Sequence, residues 1–582
     1  MPRPEDTSMQ LAYTPAERRQ RFNVLLVIAD DLGARHLPFY GYERDTMPLL
    51  QRRLEGATLF TNCHSPVGWT LPGCASIITG QLPGGHGLYD HNNRFQKPKL
   101  GHYLGEDYER VGIANNGNVV SDTIPLEYLE SLGFERRPAK WKSFGWDDGF
   151  DRYDWIHRED HEKPFVIARE FLESRKGADS PWFLSFHSNL VHDYHMGRDY
   201  YLDVGDWIDG EIHPGLRDVR DGPDIWRNPP AGVDWEQEKR ELVAKYDSGV
   251  RGYDARLDEL FRLVDLDSTI VVFVSDHGEG FEPERGRVHH CGRLHGDLTH
   301  VPLAVWLPPP LRSHYEVPLR EEQQCSTIDV VPTILTLLGD AVAGFPGRFL
   351  FDLPPHRRLR GEDRGYLYWN EDCARESYDT CSIEVNSETT YPLKRISVRR
   401  NDTTREYSYN LAYDPLEHEN LLDVPEVEGE PVSFVVAVND EEELRNNFLA
   451  SAVARGGRHE ILLVDNSSNS RYESISALYS EAMEKVKNDL VLFVHQDLYL
   501  YDGWEQRFFA GLRALEAVDP DWGVIGPVGA LGVIPGEKKQ LRGHWSDPSG
   551  YHFEGPLPQE VESLDEQLLG IRRRNGIEFD AS

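Results

Sequence analysis

Short apolar runs rich in β-branched residues recur along the first half of the chain. They begin near Asn23, Trp182, Thr269 and Val301, and their length and composition are typical of buried parallel strands. Between them, apolar residues recur at helical spacing, for example over 239–264. Strand–helix alternation of this kind predicts an α/β fold with a mostly parallel sheet, whose functional residues lie at the carboxyl ends of the strands.

The pattern stops in the acidic, proline-flanked stretch VPEVEGEP and starts again just after it. Apolar runs near Ser433, Glu460 and Leu490 predict strands, and helical spacing over 441–454 and 472–487 predicts the helices between them. A chain of 582 residues is also too long to fold around a single hydrophobic core. The predicted segments are a leader at 1–20, a first α/β domain at 21–423 with a long substrate-side insertion at 195–235, a linker at 424–431 and a second α/β domain at 432–582.

Composition and charge narrow the functions that the chain can have. The net charge of −36 argues against nucleic acid or an anionic membrane surface as a partner, because both require a basic face. A small anionic substrate stays compatible, since a bound metal ion reverses the local sign of charge. The six cysteines lack C-x-x-C spacing, which favours reduced thiols over a thiolate metal site. Without an apolar leader or a membrane-spanning run, a cytoplasmic location is expected.

Acidic residues end two of the predicted strands. Asp30 and Asp31 follow the first strand, and Asp276 and His277 follow the run that begins near Thr269. Carboxylate oxygens with one imidazole suit a divalent metal. An aspartate at a strand end also commonly caps the next helix. Two such ends in one sheet favour a metal site over capping.

A hydroxyl residue, Thr70, lies in a turn just before an apolar helix predicted to start near Pro72, where proline suits the first turn. The simpler interpretation is that Thr70 is the N-cap of that helix. The alternative is a nucleophile, because the N–H groups and positive field of a helix N-terminus stabilise an alkoxide and a bound phosphate.

The order of these motifs resembles the alkaline-phosphatase superfamily, in particular its branch of sulfatases, phosphonate monoester hydrolases and phosphoglycerol transferases. The resemblance is carried by Asp-Asp, by a Thr-Leu-Pro turn leading into an Ala-Ser-Ile-Ile-Thr-Gly helix, and by a late Ser-Asp-His-Gly-Glu strand end. Ile328–Thr333 and Tyr409–Leu421 resemble the family's closing segments. The match extends over roughly the first 400 residues in the family's order. It implies an alkaline-phosphatase-like sheet sandwiched by helices, with a smaller C-terminal subdomain.

The resemblance also implies roles for individual residues. Thr70 matches the covalent nucleophile, and the implied ion is Mn²⁺, Zn²⁺ or Ca²⁺. The implied metal ligands are Asp30, Asp31, Thr70, Asp276 and His277. Sulfatases carry Cys or Ser at the turn, within C/S-x-P-x-R, and oxidise it to formylglycine. Because threonine cannot become formylglycine and Cys74 replaces the arginine, sulfate chemistry is disfavoured and phosphorus chemistry is expected.

Two histidines are further catalytic candidates. His192 lies in a segment that resembles the family's H-x-x-x-x-H-x-P-Y, and it matches the residue that contacts the leaving group. His290 lies at the family spacing before the Val301 strand. A single histidine is more often structural, but two at strand ends of one predicted site favour a function.

The second α/β domain resembles a family-2-like GT-A glycosyltransferase with a Rossmann-like core. Asp440, Asp465 and Asp497 end three successive strands, with Asp497 in place of the family's D-x-D. Such ends suit a nucleotide-sugar and a second divalent metal, although ordinary acidic loops explain them about equally well. Because the chain stops at Ser582, before the family's acceptor-binding region, we expect a truncated domain, either a fragment or one that binds without catalysing.

The sequence therefore predicts a metal-dependent hydrolase or transferase of phosphodiesters or phosphonate monoesters. Thr70 is the expected nucleophile, with His192 and His290 as catalytic partners, and the substrates are expected to be glycan-related. One alternative is a sulfatase-like hydrolase of sulfate esters. Another is a non-catalytic glycan-binding fusion with a structural metal. The oligomeric state stays open, with a homo-oligomer among the options.

Overall fold

The structure is a computed structural model of the chain. The residues that it describes are 22–89, 94–121, 145–194, 235–281, 290, 292–340, 344–355, 357–364, 383–400, 402–411, 414, 416–418, 420–423, 429–466, 471–472, 474–500, 503–526, 528–531, 540–547, 550–554, 563–564, 568–577 and 579. The predicted leader at 1–20, nearly all of the predicted insertion at 195–235 and most of the predicted linker at 424–431 lie outside these residues. Across the described part of the chain, no helix is both long and apolar enough to cross a membrane.

The chain divides into two compact units. One comprises residues up to Glu388 together with Ile396–Arg405, and the other comprises Thr389–Arg395 and the residues from Glu406 onward. The domain boundary at the linker stays a prediction.

An eight-stranded sheet forms the centre of the first unit. Its strands, in chain order, are β1 Asn23–Ala29, β2 Ala57–Phe60, β4 Glu109–Ala114, β5 Arg152–Trp155, β6 Trp182–Ser188, β7 Thr269–Ser275, β8 Leu303–Trp306 and β9 Arg320–Glu321. Two short strands, β3 Cys63–His64 and β10 Cys325–Ser326, form a separate two-stranded sheet. The strand order in the eight-stranded sheet is β5-β4-β6-β1-β7-β8-β2-β9. The sheet is mixed, because β8 is antiparallel to both β7 and β2, while the other neighbours are parallel.

Strand β1 lies in the middle of this sheet and is buried on both faces. Val24, Leu26 and Ile28 belong to one hydrophobic cluster, and Leu25 and Val27 belong to the other. Burial on both faces explains the continuous apolar run, because each face packs on its own layer of helices. The predicted α/β fold with a helix-covered, mostly parallel sheet is confirmed.

Helices cover the sheet and connect its strands. In the part of the chain described up to Leu338 they are α1 Pro48–Arg53, α2 Thr70–Thr79, α3 Pro83–His86, α4 Leu100–Tyr103, α5 Lys163–Ser174, α6 Trp235–Phe261, α7 Gly296–Thr299, α8 Pro309–Tyr315 and α9 Val330–Leu338. Helix α6 confirms the helical spacing over 239–264, and α2 begins two residues before the predicted start at Pro72. A further four-stranded sheet, in chain order, consists of β11 Leu359–Arg364, β12 Ile383–Thr390, β13 Leu393–Arg400 and β14 Thr403–Asn410.

The second unit contains a five-stranded sheet in the order β16-β15-β17-β23-β18 and a four-stranded sheet in the order β21-β20-β19-β22. The strands are β15 Val432–Val438, β16 Glu460–Asp465, β17 Leu490–His495, β18 Val524–Ile525, β19 Val528–Leu531, β20 Gln540–Asp547, β21 Gly550–Glu554, β22 Ser563–Leu564 and β23 Leu568–Arg572. The helices are α10 Glu441–Asn446, α11 Ala452–Arg455, α12 Ile475–Met483 and α13 Trp504–Val518. The three predicted strands are confirmed as β15, β16 and β17, which are parallel.

The single helix predicted over 441–454 is wrong. Helix α10 ends at Asn446, and a turn of 3-10 helix at Phe448–Ala450 separates it from α11. The side chain of Asn447 donates to the Glu443 carbonyl, and Phe448 turns into the core, where it is fully buried. Local side-chain bonds of asparagine compete with helix continuation, and the apolar anchor completes the break.

A buried ion pair holds the start of α9. The Asp329 carboxylate accepts hydrogen bonds from Arg357 at 2.5 and 2.8 Å and from the backbone of Ser326 and Arg348 at 2.8 and 2.7 Å. We expect Asp329→Ala to lower the free energy of unfolding by about 3–5 kcal/mol, because the Arg357 charge is left buried without its partner. Urea unfolding at fixed pH measures this loss.

The control for this prediction is Glu322→Ala, which removes a pair with Arg320 at 3.4 Å in which both side chains are about half exposed. Its expected cost is below about 1 kcal/mol, since exposed pairs contribute little. Equal losses in the two variants would contradict the role given to burial.

Asp254, on α6, makes stability depend on pH. Its carboxylate accepts the backbone N–H groups of Leu49 and Leu50 at 2.9 Å, yet burial raises its pKa to about 6. Because this pKa exceeds the unfolded value, the contribution of Asp254 to stability is complete below about pH 4 and is lost as pH rises through about 6. We expect the unfolding free energy of Asp254→Asn, relative to the native chain, to rise by up to about 3 kcal/mol between about pH 4 and pH 7. A difference that is independent of pH would exclude this group as the cause.

Candidate active site

The register of three central strands brings the predicted site residues to one edge of the sheet. Ala29 of β1 pairs with Ser275 of β7 and with Ser188 of β6. Asp30 and Asp276, which directly follow these paired residues, are therefore neighbours, and both are fully buried. This edge is the carboxyl edge of the parallel strands, as predicted.

Thr70 is the first residue of α2, and it is buried beneath the carboxylates. The preceding Trp69 occupies the cap position in an extended conformation without a side-chain cap bond. The Thr70 hydroxyl instead lies 3.3 Å from Oδ1 of Asp30 and 3.2 Å from Nε2 of His277. The hydroxyl is thus directed at the acidic cluster and does not cap α2.

The metal-ligand candidates form one compact group. His277 Nδ1 lies 3.3 Å from Oδ1 of Asp31, and His277 Nε2 lies 3.6 Å from Oδ1 of Asp30 and 3.7 Å from Oδ2 of Asp276. Asp30, Asp276 and His277 each offer one ligand atom within 4.8 Å of the others, and Asp31, His277 and His290 do the same. Asp31 adopts a left-handed backbone conformation with φ of 67°.

Burial makes the charges of this group costly. Burial raises the pKa of Asp31 well above its usual range, and the nearby Glu279 raises it further. Burial likewise raises the pKa of Asp276 to about 6. Burial acts in the same direction on Asp30, but the close contact with His187 at 3.2 Å and the charges of His192, His187 and His277 outweigh it and lower the pKa of Asp30 to about 2.

A divalent cation fits this group. Among the described residues, neither carboxylate oxygen of Asp31 has a hydrogen-bond donor, although both are buried. Buried carboxylates are normally paired, hydrogen-bonded or bound to metal. Three aspartates and one histidine provide the oxygen and imidazole donors that such a cation takes.

The two catalytic histidine candidates lie beside the group. The His192 and His290 rings are 5.0 Å apart, and the His277 and His290 rings are 4.5 Å apart. His192 Nδ1 lies 3.1 Å from Oδ1 of Asp193, whose Oδ2 lies 3.2 Å from His161 Nε2. The structure therefore brings every predicted residue of the first site together.

The orienting residues around this site are absent from the sequence-based prediction. Asn116 donates to Asp30 Oδ2 at 2.6 Å and to Asn189 Oδ1 at 2.7 Å, so it fixes the Asp30 carboxylate. Asp193 is held ionised: burial opposes its charge, but hydrogen bonds with His161 and His192 and the charge of Arg158 keep its pKa well below the usual range. The sequence feature that could have identified Asn116 as a site residue is its position just after the carboxyl end of β4.

The three acidic candidates of the second unit lie at the carboxyl edge of β15, β16 and β17. Val438 pairs with Asp465, and Ala437 pairs with His495, two residues before Asp497. All three aspartates are exposed. The Asp440 carboxylate caps α10 by accepting the N–H groups of Glu442 and Glu443. Among the described residues, Asp440, Asp465 and Asp497 do not form a group of donor atoms close enough together to bind one metal ion.

A family model described as Sulfatase matches residues 22–340, more than half of the chain. The chain belongs to the sulfatase family. Residues Asp30 to His290 of the candidate site all fall inside the matched segment.

Curated relatives of this sulfatase-family chain include a choline-sulfatase from Rhizobium meliloti, 23% identical over 356 residues, which cover 54% of the chain and 67% of the relative. A low-salt glycan biosynthesis sulfotransferase from Haloferax volcanii is 25% identical over 350 residues, with 58% of the chain and 67% of the relative covered. Arylsulfatase A from Bos taurus is 42% identical over 67 residues, 12% of the chain. The chain spans only 13% of arylsulfatase A and about two thirds of the other two.

Among solved structures, the phosphonate monoester hydrolase of Agrobacterium radiobacter superposes with a TM-score of 0.52 at 16% identity, covering 69% of this chain and 91% of that protein. A 2-O GAG sulfatase superposes with a TM-score of 0.50 at 16% identity, covering 70% and 88%. At this identity the likeness shows the fold, which is that of the alkaline-phosphatase-like superfamily.

Proposed function

We propose that this sulfatase-family enzyme cleaves phosphodiesters or phosphonate monoesters through a covalent bond to Thr70. The observation that carries the proposal is the buried Thr70 hydroxyl at the N-terminus of α2, within hydrogen-bonding distance of Asp30 and His277. Threonine cannot be oxidised to an aldehyde, so a phosphoryl or sulfuryl group bound to Thr70 cannot leave by elimination. Its release must proceed by displacement at the phosphorus or sulfur atom. This requirement favours phosphorus over sulfur and allows an acceptor hydroxyl to replace water.

Asp30, Asp31, Asp276 and His277 are the residues that would hold a divalent cation. Such an ion, when bound, lowers the pKa of the Thr70 hydroxyl and polarises the substrate oxygen. The N-terminus of α2 adds the positive field of the helix dipole where the anionic group would bind.

The proposed chemistry has two displacement steps. In the first, the Thr70 alkoxide forms a bond from Oγ1 to phosphorus while the bond from phosphorus to the leaving oxygen breaks, and His192 or His290 gives that oxygen a proton. In the second, water or an acceptor hydroxyl gives its proton to the same histidine and forms the new bond to phosphorus, while the bond to Thr70 breaks and restores the alkoxide. The contact between His192 Nδ1 and Asp193, at 3.1 Å, orients the His192 ring.

Support for a glycan-related substrate, and for transfer as well as hydrolysis, comes from the relative named as a low-salt glycan biosynthesis sulfotransferase. The relative named as a choline-sulfatase supports the competing function, hydrolysis of sulfate esters. Both relatives are consistent with the family, and the departures from the sulfatase turn at Thr70 and Cys74 support phosphorus as the atom attacked in this chain.

The test is turnover of matched aryl substrates by the metal-loaded protein. We expect kcat/KM for bis(p-nitrophenyl) phosphate or p-nitrophenyl phenylphosphonate, with Mn²⁺, Zn²⁺ or Ca²⁺, to exceed that for p-nitrophenyl sulfate by roughly 100-fold, a transition-state difference of about 2.7 kcal/mol. A preference for sulfate would establish the sulfatase alternative. Metal binding without turnover of any substrate would establish the non-catalytic alternative.

For the second unit we propose a nucleotide-sugar-binding domain of GT-A type. It is supported by the parallel strands β16, β15 and β17, which gather Asp440, Asp465 and Asp497 at one edge. Calorimetric titration with UDP-glucose and GDP-mannose in the presence of Mn²⁺ tests it. Binding that Asp497→Asn weakens is the expected result, and no binding of either donor contradicts the assignment.

A further inference from the structure

Cys74, His187 and Asp276 form a second group of buried donor atoms beside the candidate active site. The Cys74 sulfur, one ring nitrogen of His187 and one carboxylate oxygen of Asp276 all lie within 4.8 Å of one another. The three residues are at most 4% exposed. The chemistry proposed for Thr70 requires neither Cys74 nor His187.

His187 lacks the hydrogen bonds that a buried imidazole normally makes. Within the described part of the chain neither of its ring nitrogens has a hydrogen-bond partner of normal geometry, although Nε2 lies 3.2 Å from Asp30 Oδ2. Cys74 and His187 both line a partly open pocket of about 20 Å³ whose other walls are mostly apolar. This volume is enough for one water molecule or one ion. Buried polar side chains normally have a hydrogen-bond partner or a bound ion, and this pocket has room for one beside His187.

The donor set and its spacing suit zinc. Cys74 Sγ lies 3.4 Å from Asp276 Oδ2, close to the roughly 3.6 Å that separates a thiolate sulfur and a carboxylate oxygen on one tetrahedral Zn²⁺. Sulfur, nitrogen and oxygen together favour Zn²⁺ or Co²⁺ over Mg²⁺ and Ca²⁺, which take oxygen ligands. Three protein ligands leave the fourth position open.

We propose that Cys74, His187 and Asp276 hold a second divalent cation of zinc type, adjacent to the cation held by Asp30, Asp31, Asp276 and His277. The Asp276 carboxylate is common to both groups of ligands, so the two ions are neighbours. The competing interpretation is a packed thiol that only donates a weak hydrogen bond to Asp276. Cation binding at Cys74 requires no catalysis, so the inference is independent of the function proposed for Thr70.

The test is the absorption spectrum of the full chain, stripped with a chelator and reloaded with Co²⁺. The expected result is a sulfur-to-cobalt charge-transfer band that Cys74→Ser abolishes. Cys325→Ser, which changes another fully buried thiol, is the matched control and is expected to keep the band. Metal analysis after Zn²⁺ loading is expected to find one equivalent fewer in Cys74→Ser than in the native chain.

The other outcomes of this experiment also bear on the proposed cation site. A Co²⁺-loaded native chain without the band, or a Cys74→Ser variant that keeps it, overturns the inference. If circular dichroism shows that Cys74→Ser does not fold, the spectrum of the Co²⁺-loaded native chain still shows whether a thiolate binds the ion. His187→Gln is then the second variant, and it is expected to bind one equivalent of Zn²⁺ less than the native chain. Thr70→Ala is expected to keep the band. Undiminished turnover in Thr70→Ala would therefore reject the proposed function without affecting the cation site.

Discussion

Replacing Thr70 with alanine is expected to lower kcat on a phosphodiester by about 10⁴-fold or more, the scale seen when a covalent nucleophile is removed. The hydroxyl removed is the one that lies 3.3 Å from Asp30 and 3.2 Å from His277, at the start of α2. The stability should change little, since Thr70 makes no cap bond to its helix. Steady-state kinetics at saturating metal, with unfolding curves for both proteins, measure these effects.

Thr70→Ser is the matched control, because it keeps a hydroxyl at the same position. We expect its kcat to stay within about 10- to 100-fold of the native value. If Thr70→Ala retains turnover within about 10-fold of the native enzyme, water attacks the substrate directly and the nucleophile assignment is wrong.

The second large effect is expected for Asp31→Asn. Asparagine has nearly the same shape and tolerates the left-handed conformation at φ of 67°. It removes a carboxylate whose pKa burial and Glu279 hold well above the usual range. The metal-free variant should therefore be at least as stable as the metal-free native chain. It should nevertheless lose the stabilisation by metal, which reaches about 4 kcal/mol for an ion present at 1,000 times its dissociation constant, and its turnover should fall by about 10³-fold.

Thermal unfolding with a chelator, and again with Mn²⁺ or Zn²⁺, separates the two effects. Asp45→Asn provides a control in which an exposed carboxylate, paired with Arg251 at 3.4 Å, is changed in the same way. Equal stabilisation of Asp31→Asn and the native chain by metal would remove Asp31 from the ligand set.

The central strands and the acidic cluster could be predicted from the sequence for one physical reason. Strands buried on both faces must be continuously apolar, so β1 and β7 are conspicuous, and polar residues directly after them necessarily meet at the carboxyl edge. Asp30 and Asp276 are therefore adjacent in the structure, as the pattern predicts. The same reasoning applies to β15 and β17 in the second unit, which are almost wholly buried, whereas β16 is only partly buried.

Other parts of the site depend on contacts that no local pattern shows. Strand β4 starts with the half-buried Glu109 and Arg110, so its apolar run is too short to draw attention to Asn116 just beyond it. Asp193 is positioned by His161, which lies far from it in sequence and meets it only in the folded chain. The cysteine spacing gave no sign of a cation site, because the partners of Cys74 come from the ends of two separate strands, β6 and β7.

The steric course of the reaction at phosphorus tests the covalent role of Thr70 most directly. One diastereomer of a chiral phosphorothioate diester is hydrolysed in ¹⁸O-enriched water, and the configuration of the product is determined. Two in-line displacements, first by Thr70 Oγ1 and then by water, each invert the centre, so overall retention is expected. Inversion would show a single displacement by water and would contradict the assignment of Thr70 as the nucleophile.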